Sequence, residues 1–219
     1  SSMGFINKLE ELNIPVVMNA EYLETDPLAK AEWVKFVAAF YDKDSLALAK
    51  FSQIEKKYLK HKNHIAGFIN EKAKPTVITG LPWKDSWYVP GANSYLAHLI
   101  RDAGGKYIWN DNQKRESIPL SIETVFSKAK NADIWINTDA ARSKNDILTI
   151  DARLEQFKAF ENNKTYNCNA ILNQKGGNDY WETGIIEPHI ILKDVASIFH
   201  PDLFPNHELV YYKKLSDYE

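Results

Sequence analysis

The sequence predicts an α/β protein: a long backbone helix followed by a three-layer αβα lobe whose sheet is mostly parallel. Two patterns carry this prediction. Apolar residues at helical spacing run almost without interruption from 27 to 64, and from Lys74 onward short strand-like runs alternate with helical segments. A third observation bounds the size: 219 residues are enough for one sizeable core, or for a lobe with an appendage.

In chain order, Phe5 to Leu12 reads as the last part of a helix, and Ile14 to Met18 as a buried strand with Pro15 near its start. Thr25-Asp26-Pro27 supplies a capping side chain and a proline at the first helical position. The helix so opened extends to about Tyr41 on Leu28, Ala31, Val34 and Val37, and Trp33, Phe36 and Phe40 widen its apolar stripe. Most of its surface is therefore expected to be covered. Asp44 is placed to cap a continuation carrying Leu48, Phe51, Ile54 and Tyr58, which turns basic through Lys60, His61, Lys62 and His64. Helical stretches of that length in a small domain usually connect other parts.

The lobe begins with a strand at Pro75–Thr79 ending on Gly80. A helix at Ser94–Ala103 is closed by Gly104-Gly105, and a short strand covers Tyr107–Trp109. Ser121 opens a helix to about Lys130, Asp133–Asn137 is a strand, and Ala152–Phe160 is helical. Thr165–Asn169 is a further strand, Pro188–Phe199 the last long helix, and Val210-Tyr211-Tyr212 an edge strand. There is no internal repeat and no low-complexity tract.

Composition excludes several classes. A chain 44% hydrophobic and 26% charged is ordinary for a folded domain and argues against disorder. A net charge of −2 gives no basic field for a nucleic-acid backbone. No apolar run approaches the roughly 20 residues that span a bilayer. Cys168 is the only cysteine, so neither an internal disulfide nor a Cys-based zinc site can form. Ser1-Ser2-Met3-Gly4 reads as a cloning remnant leading straight into a helical pattern, with no signal peptide before it.

Function is sought at the carboxyl ends of the strands, where open α/β sheets bind ligands. Three loops follow strands there: Gly80 to Gly91, Thr138 to Ser143, and Asn173 to Glu182. Two of them hold Trp-Tyr clusters in polar, glycine-containing surroundings: Trp83, Trp87 and Tyr88 in the first, Tyr180 and Trp181 in the third. Rings on loops offer flat apolar area with a polar handle, which suits a large, partly aromatic ligand. Arg142 would add a planar, permanently charged fork for carboxylate or catecholate oxygens, and Asn173 a polar anchor. The plainer reading makes the tryptophans a loop core over the sheet edge and Arg142 a solvated surface residue. His61 and His64, at i and i+3 on a lysine-rich helix, read as solvated rather than as metal ligands. Asp179 and Glu182 form a carboxylate pair of the kind used by glycosidases, but no matched acid and nucleophile stands out. Gly104-Gly105 and Gly176-Gly177 lack the spacing of a nucleotide-binding loop.

The stretch Glu24 to Phe36 (Glu-Thr-Asp-Pro-Leu-Ala-Lys-Ala-Glu-Trp-Val-Lys-Phe) resembles the junction into the backbone helix of class III periplasmic substrate-binding proteins of ABC importers. Leu81 to Tyr95, Leu99 to Gly105, Gly176 to Glu182 and His200-Pro201-Asp202-Leu203-Phe204-Pro205 are similar to the C-terminal lobe of that family. The resemblance implies two lobes joined by a helix, with a ligand clamped between them and no catalysis. It divides the chain into 1–25, a remnant of an N-terminal lobe, 26–72, the interdomain backbone-helix region, and 73–219, the ligand-binding lobe. It also implies a longer natural protein, since the N-terminal lobe is missing, and a periplasmic or lipid-anchored location. The ligand expected by resemblance is an iron-siderophore, haem or cobalamin-type molecule, with no resident cofactor or metal. Trp83, Trp87, Tyr88, Arg142, Asn173, Tyr180 and Trp181 are the candidate contacts. Glu123, in Ser121-Ile122-Glu123-Thr124-Val125 leading to Ala132-Asp133, matches the family's permease-docking glutamate, with Ala132 where proline is common. The expected partners are the metal chelate or corrinoid and an ABC permease, and exposed apolar surface favours a crystal dimer. The alternatives are an α/β enzyme, chelatase-like or a carbohydrate-active hydrolase using Asp179 or Glu182, and a protein-interaction domain gripping a partner with its aromatic loops.

Overall fold

The computed structural model describes residues 2–218, the side chains of 2–4 and of Lys72 excepted. A first helix, α1 (Ser2–Glu11), leads into an extended segment. Ile14, Val16, Val17 and Met18 lie exposed in that segment and form no strand. The sequence pattern there is that of a strand, but a strand needs a hydrogen-bonded neighbour, and no described residue supplies one.

Two helices follow, α2 (Pro27–Ala39) and α3 (Asp44–Phe68). Asp26 caps α2 as its sequence predicts, accepting hydrogen bonds from the Leu28 and Ala29 backbone N–H groups at 2.8 and 3.2 Å. Asp44 is the first residue of α3 rather than its cap; Lys43 holds the cap position without a side-chain bond. The chain breaks between the helices at Asp42, which adopts the left-handed conformation (φ 53°) that Asp tolerates. The helical region is therefore a long helix, α3, with α2 folded back along it: Lys35 Nζ sits 4.1 Å from the centre of the Phe51 ring. Most of α2 is not covered. Of its residues only Pro27 and Ala31 are buried, while Val37 and Phe40 face outward beside the edge-to-face rings of Trp33 and Phe36. Trp33, Val34 and Phe36 are only half-buried, with the Thr183–Ile186 turn beside them.

The lobe is built on a parallel sheet of β1 (Thr76–Thr79), β4 (Lys106–Tyr107) and β6 (Ile134–Ile136), with β1 in the centre. Its strands are nearly all buried, as a sheet covered on both faces requires. A parallel bridge from Trp135 to Thr165 extends it by one position. One layer consists of α3, α4 (Tyr95–Asp102) and α8 (Pro188–Phe199), with α2 alongside; the opposite layer holds α5 (Ile122–Ala129), α6 (Lys144–Ile150) and α7 (Lys158–Glu161). A small antiparallel sheet, not apparent in the sequence pattern, joins β2 (Pro82–Trp83), β3 (Ser86–Val89) and β5 (Ile118–Leu120). The edge strand expected at Val210–Tyr212 lies just downstream: β8 (Lys213–Lys214) pairs with β7 (Tyr166–Asn167).

The α3–α8 packing carries a titratable element. His61 on α3 stands edge-on to Phe204 at 5.7 Å. Burial first, then Lys193, His189, Lys60 and His207, push its pKa from near 6.5 down to about 4. Because the folded value lies below the unfolded one, this contribution is fully present above about pH 6.5 and is lost as pH falls toward 4. His61 is only partly buried, so solvent screening limits the effect to on the order of 1 kcal/mol. Thermal unfolding followed from pH 7 to 4 should show a smaller loss in His61→Gln than in the parent protein. Equal losses in the two proteins would remove His61 from this account.

Candidate ligand-binding cleft

The carboxyl end of β1 is held by two indoles. Trp87 Nε1 donates to the Thr79 carbonyl at 3.0 Å and Trp135 Nε1 to the Gly80 carbonyl at 2.9 Å. Gly80 turns with φ +76°, a conformation open to glycine at little cost. The loop after β1 is then fastened to the loop after β6. Gly80 N–H donates to the Asn137 carbonyl at 3.0 Å, and Leu81 N–H to Asp139 Oδ2 at 2.7 Å. Asn137 and Asp139 are themselves left-handed, with φ 55° and 47°. Asn and Asp are the non-glycine types that tolerate this conformation, so the pair gives the loop its tight turn. The segment after Thr165 joins in: Asn167 Nδ2 donates to the carbonyls of Asp139 and Ala141, and Asn169 Nδ2 to that of Ala141.

Between the first two loops lies a cleft of about 650 Å³, lined in part by Leu81, Trp83, Tyr88, Asp139, Asp146 and Ile150. Pairing in the β2–β3 hairpin decides which rings reach it. Pro82 lies opposite Trp87 and Trp83 opposite Ser86, so Trp83, Ser86 and Tyr88 share one face and Pro82, Trp87 and Val89 the other. Trp83 is 68% exposed and Tyr88 51% exposed, whereas Trp87 is fully buried.

Of the residues picked from sequence, Trp83 and Tyr88 are thus brought together at the cleft. Trp87 is not a surface contact. It packs against Trp135 and Phe157 at 5.7 and 5.9 Å between ring centres, because the alternation of the strand turns it into the core. Tyr180 is likewise sealed, among Tyr211, Tyr212 and the edge of Trp181. Trp181 stays half exposed on the third loop, outside this cleft. Asn173 is exposed, with Oδ1 accepting from the Lys175 and Gly177 N–H groups and so shaping its own turn. Arg142 is exposed and does not line the cleft; its backbone N–H donates to Asp146 Oδ2 at 2.7 Å. Glu123 lies exposed in the first turn of α5, 3.8 Å from Arg153.

Sequence reasoning missed Asp139 and Asp146. The signal for Asp146 was present: Ser143 and Asp146 form a reciprocal capping box that starts α6, a helix the apolar spacing does not announce. Asp139 keeps an accessible edge on the cleft, and the mass around it pushes its pKa upward against the Leu81 N–H bond. Cys168 lies behind this region, its thiol pushed up to about 12 by burial, which makes it inert packing. Among the described residues no group of three or more His, Cys, Asp or Glu is placed to hold a metal ion.

The architecture is that of an α/β lobe with a cleft at the carboxyl ends of its parallel strands and a long helix alongside. The chain belongs to the periplasmic binding protein family, whose profile matches residues 6–172. It is 32% identical over 212 residues to an uncharacterized lipoprotein of Methanocaldococcus jannaschii, covering 95% of this chain and 48% of that protein. Similar folds are found in a possible iron-binding (periplasmic solute-binding) protein from Staphylococcus epidermidis, with a TM-score of 0.65 and 16% identity over 89% of this chain and 70% of the other. A periplasmic heme-binding protein in complex with two hemes gives a TM-score of 0.65 and 15% identity, over 90% and 70% of the two chains. At such identities the likeness establishes the fold. The chain spans about half the length of the curated relatives it matches.

The family that the chain matches is one of binding proteins. Asp179 Oδ1 accepts from Thr183 Oγ1 at 2.7 Å as a local brace, and Glu182 lines a separate groove beside Trp33 and Val37. No described helix is long and apolar enough to cross a membrane.

Proposed function

We propose that this chain is the ligand-binding lobe of an ABC-importer solute-binding protein that captures a metal chelate, of the ferric-siderophore, haem or corrinoid kind, and hands it to a membrane permease. The observation that carries the reading is the pair of outward rings, Trp83 and Tyr88, lining a cleft at the strand ends. A ligand of that kind has a broad apolar or aromatic perimeter, and two rings on a rigid hairpin meet it at little entropic cost. Two proteins of similar fold, one a possible iron-binding protein and one heme-bound, favour the same reading. Trp181 and Arg142, both exposed and outside the cleft lining, stay as outer candidate contacts. Glu123, exposed on α5, is assigned to the permease contact. The matched relative's description as a lipoprotein favours attachment to the cell envelope.

Equilibrium titration of tryptophan fluorescence with haem, a corrinoid and ferric siderophores tests the cleft. Trp83→Ala and Tyr88→Ala should each weaken binding about tenfold, roughly 1.4 kcal/mol, with little change in unfolding temperature. In reconstituted uptake, Glu123→Ala should lower transport while leaving that affinity alone. Wild-type affinity in both aromatic variants would rule the cleft out.

A further inference from the structure

The charge of the cleft narrows the class of chelate. Two carboxylates, Asp139 and Asp146, stand on its wall, against one lining cation, Lys84, whose Nζ lies 5.8 Å from the Trp83 ring centre. Both carboxylates are held by backbone N–H groups; the Arg142 charge also bears on Asp146 but lies outside the lining. Asp139 Oδ2 accepts the Leu81 N–H, and Asp146 Oδ2 accepts the N–H groups of Arg142 and Ser143 at 2.7 and 3.1 Å. Asp146 is held below the usual carboxylate range, first by the Arg142 N–H bond, so it carries its charge throughout the neutral range. In each carboxylate only Oδ2 is engaged by these bonds, which leaves negative charge on a lining that also holds the Trp83 and Tyr88 rings.

From this juxtaposition we infer that the cleft of Trp83, Tyr88, Asp139 and Asp146 takes a metal chelate that is cationic, and disfavours chelates that carry peripheral anions. This rests on the reading of the cleft as the ligand site. A positive chelate gains from both carboxylates and from the ring quadrupoles. A tricatecholate, or a porphyrin with two carboxylates, would bring like charge against Asp139 and Asp146, and would need compensation from outside this wall.

The test compares three probes of known charge: the cationic ferric complex of desferrioxamine B, an anionic ferric tricatecholate, and haem. Fluorescence titration at low ionic strength should give at least tenfold tighter binding of the cationic chelate than of the tricatecholate, with the preference shrinking as salt is raised. Asp139→Asn combined with Asp146→Asn should weaken the cationic chelate about tenfold or more and leave the tricatecholate equal or improved; asparagine keeps an oxygen for the backbone donors. Thr149→Lys, an exposed lining position that leaves both carboxylates in place, should shift the preference the same way, and serves if the double variant does not fold. Tighter binding of the tricatecholate or haem by the parent protein would overturn the charge assignment while leaving the chelate-binding role intact. Failure of all three probes to bind would overturn both.

Discussion

Replacing Asp194 by alanine should lower the unfolding free energy by about 3–5 kcal/mol, as expected when one member of a buried, hydrogen-bonded polar cluster is removed. Asp194 is fully buried on α8, in the middle of an otherwise apolar face. One oxygen accepts from His207 Nε2 at 2.6 Å; the other accepts the N–H groups of Val210, Tyr211 and Tyr212 at 3.0, 2.7 and 3.2 Å. The carboxylate thus pins the returning C-terminal segment, and its loss leaves backbone donors without a partner away from water. Asp194→Asn keeps one acceptor oxygen but turns an amide toward a donor, so it should fall between the alanine variant and the parent. Urea denaturation measures both. A loss below 1 kcal/mol in the alanine variant would show that the segment finds other acceptors.

Trp87→Ala should be comparably damaging, at about 3–5 kcal/mol, the usual range for removing a large buried aromatic side chain. The indole fills the space between Trp135 and Phe157 and satisfies the Thr79 carbonyl, so its removal leaves both a cavity and a broken loop anchor. Its neighbour provides the contrast. Tyr88 is one residue away, on the opposite face of the same strand, and should tolerate truncation with little loss of stability. Denaturation curves for the two alanine variants should therefore differ by several kilocalories per mole. Similar curves would mean that the inward and outward faces of the hairpin are wrongly assigned.

That contrast also marks how far the sequence could be read. The strand–loop–helix alternation, the caps at Asp26, Ser94 and Ser121, and the apolar run of α8 place most elements within a few residues, because each depends on local chemistry. Which ring faces out was not legible. Trp87 and Tyr88 are both plausible contacts by residue type, and only the register of Pro82 against Trp87 separates them. Tyr180 fails as a contact because Tyr211 and Tyr212, some thirty positions later, return to cover it. Asp139 drew no notice as a lone loop aspartate, since its bond to Leu81 links positions 58 residues apart. Ile14–Met18 and α2 differ for the opposite reason: their apolar patterns are those of covered elements, yet Ile14, Val16, Val17, Met18, Val37 and Phe40 stay exposed.

Backbone amide hydrogen exchange, with and without a saturating metal chelate, addresses the central claim most directly, since it maps contact without altering any side chain. Slowed exchange concentrated in 80–91 and 138–150, with little change along α2, is the result the cleft requires. Protection confined to the Trp181 loop or to the outer face of α2, with 80–91 exchanging as before, would place the ligand elsewhere and contradict it.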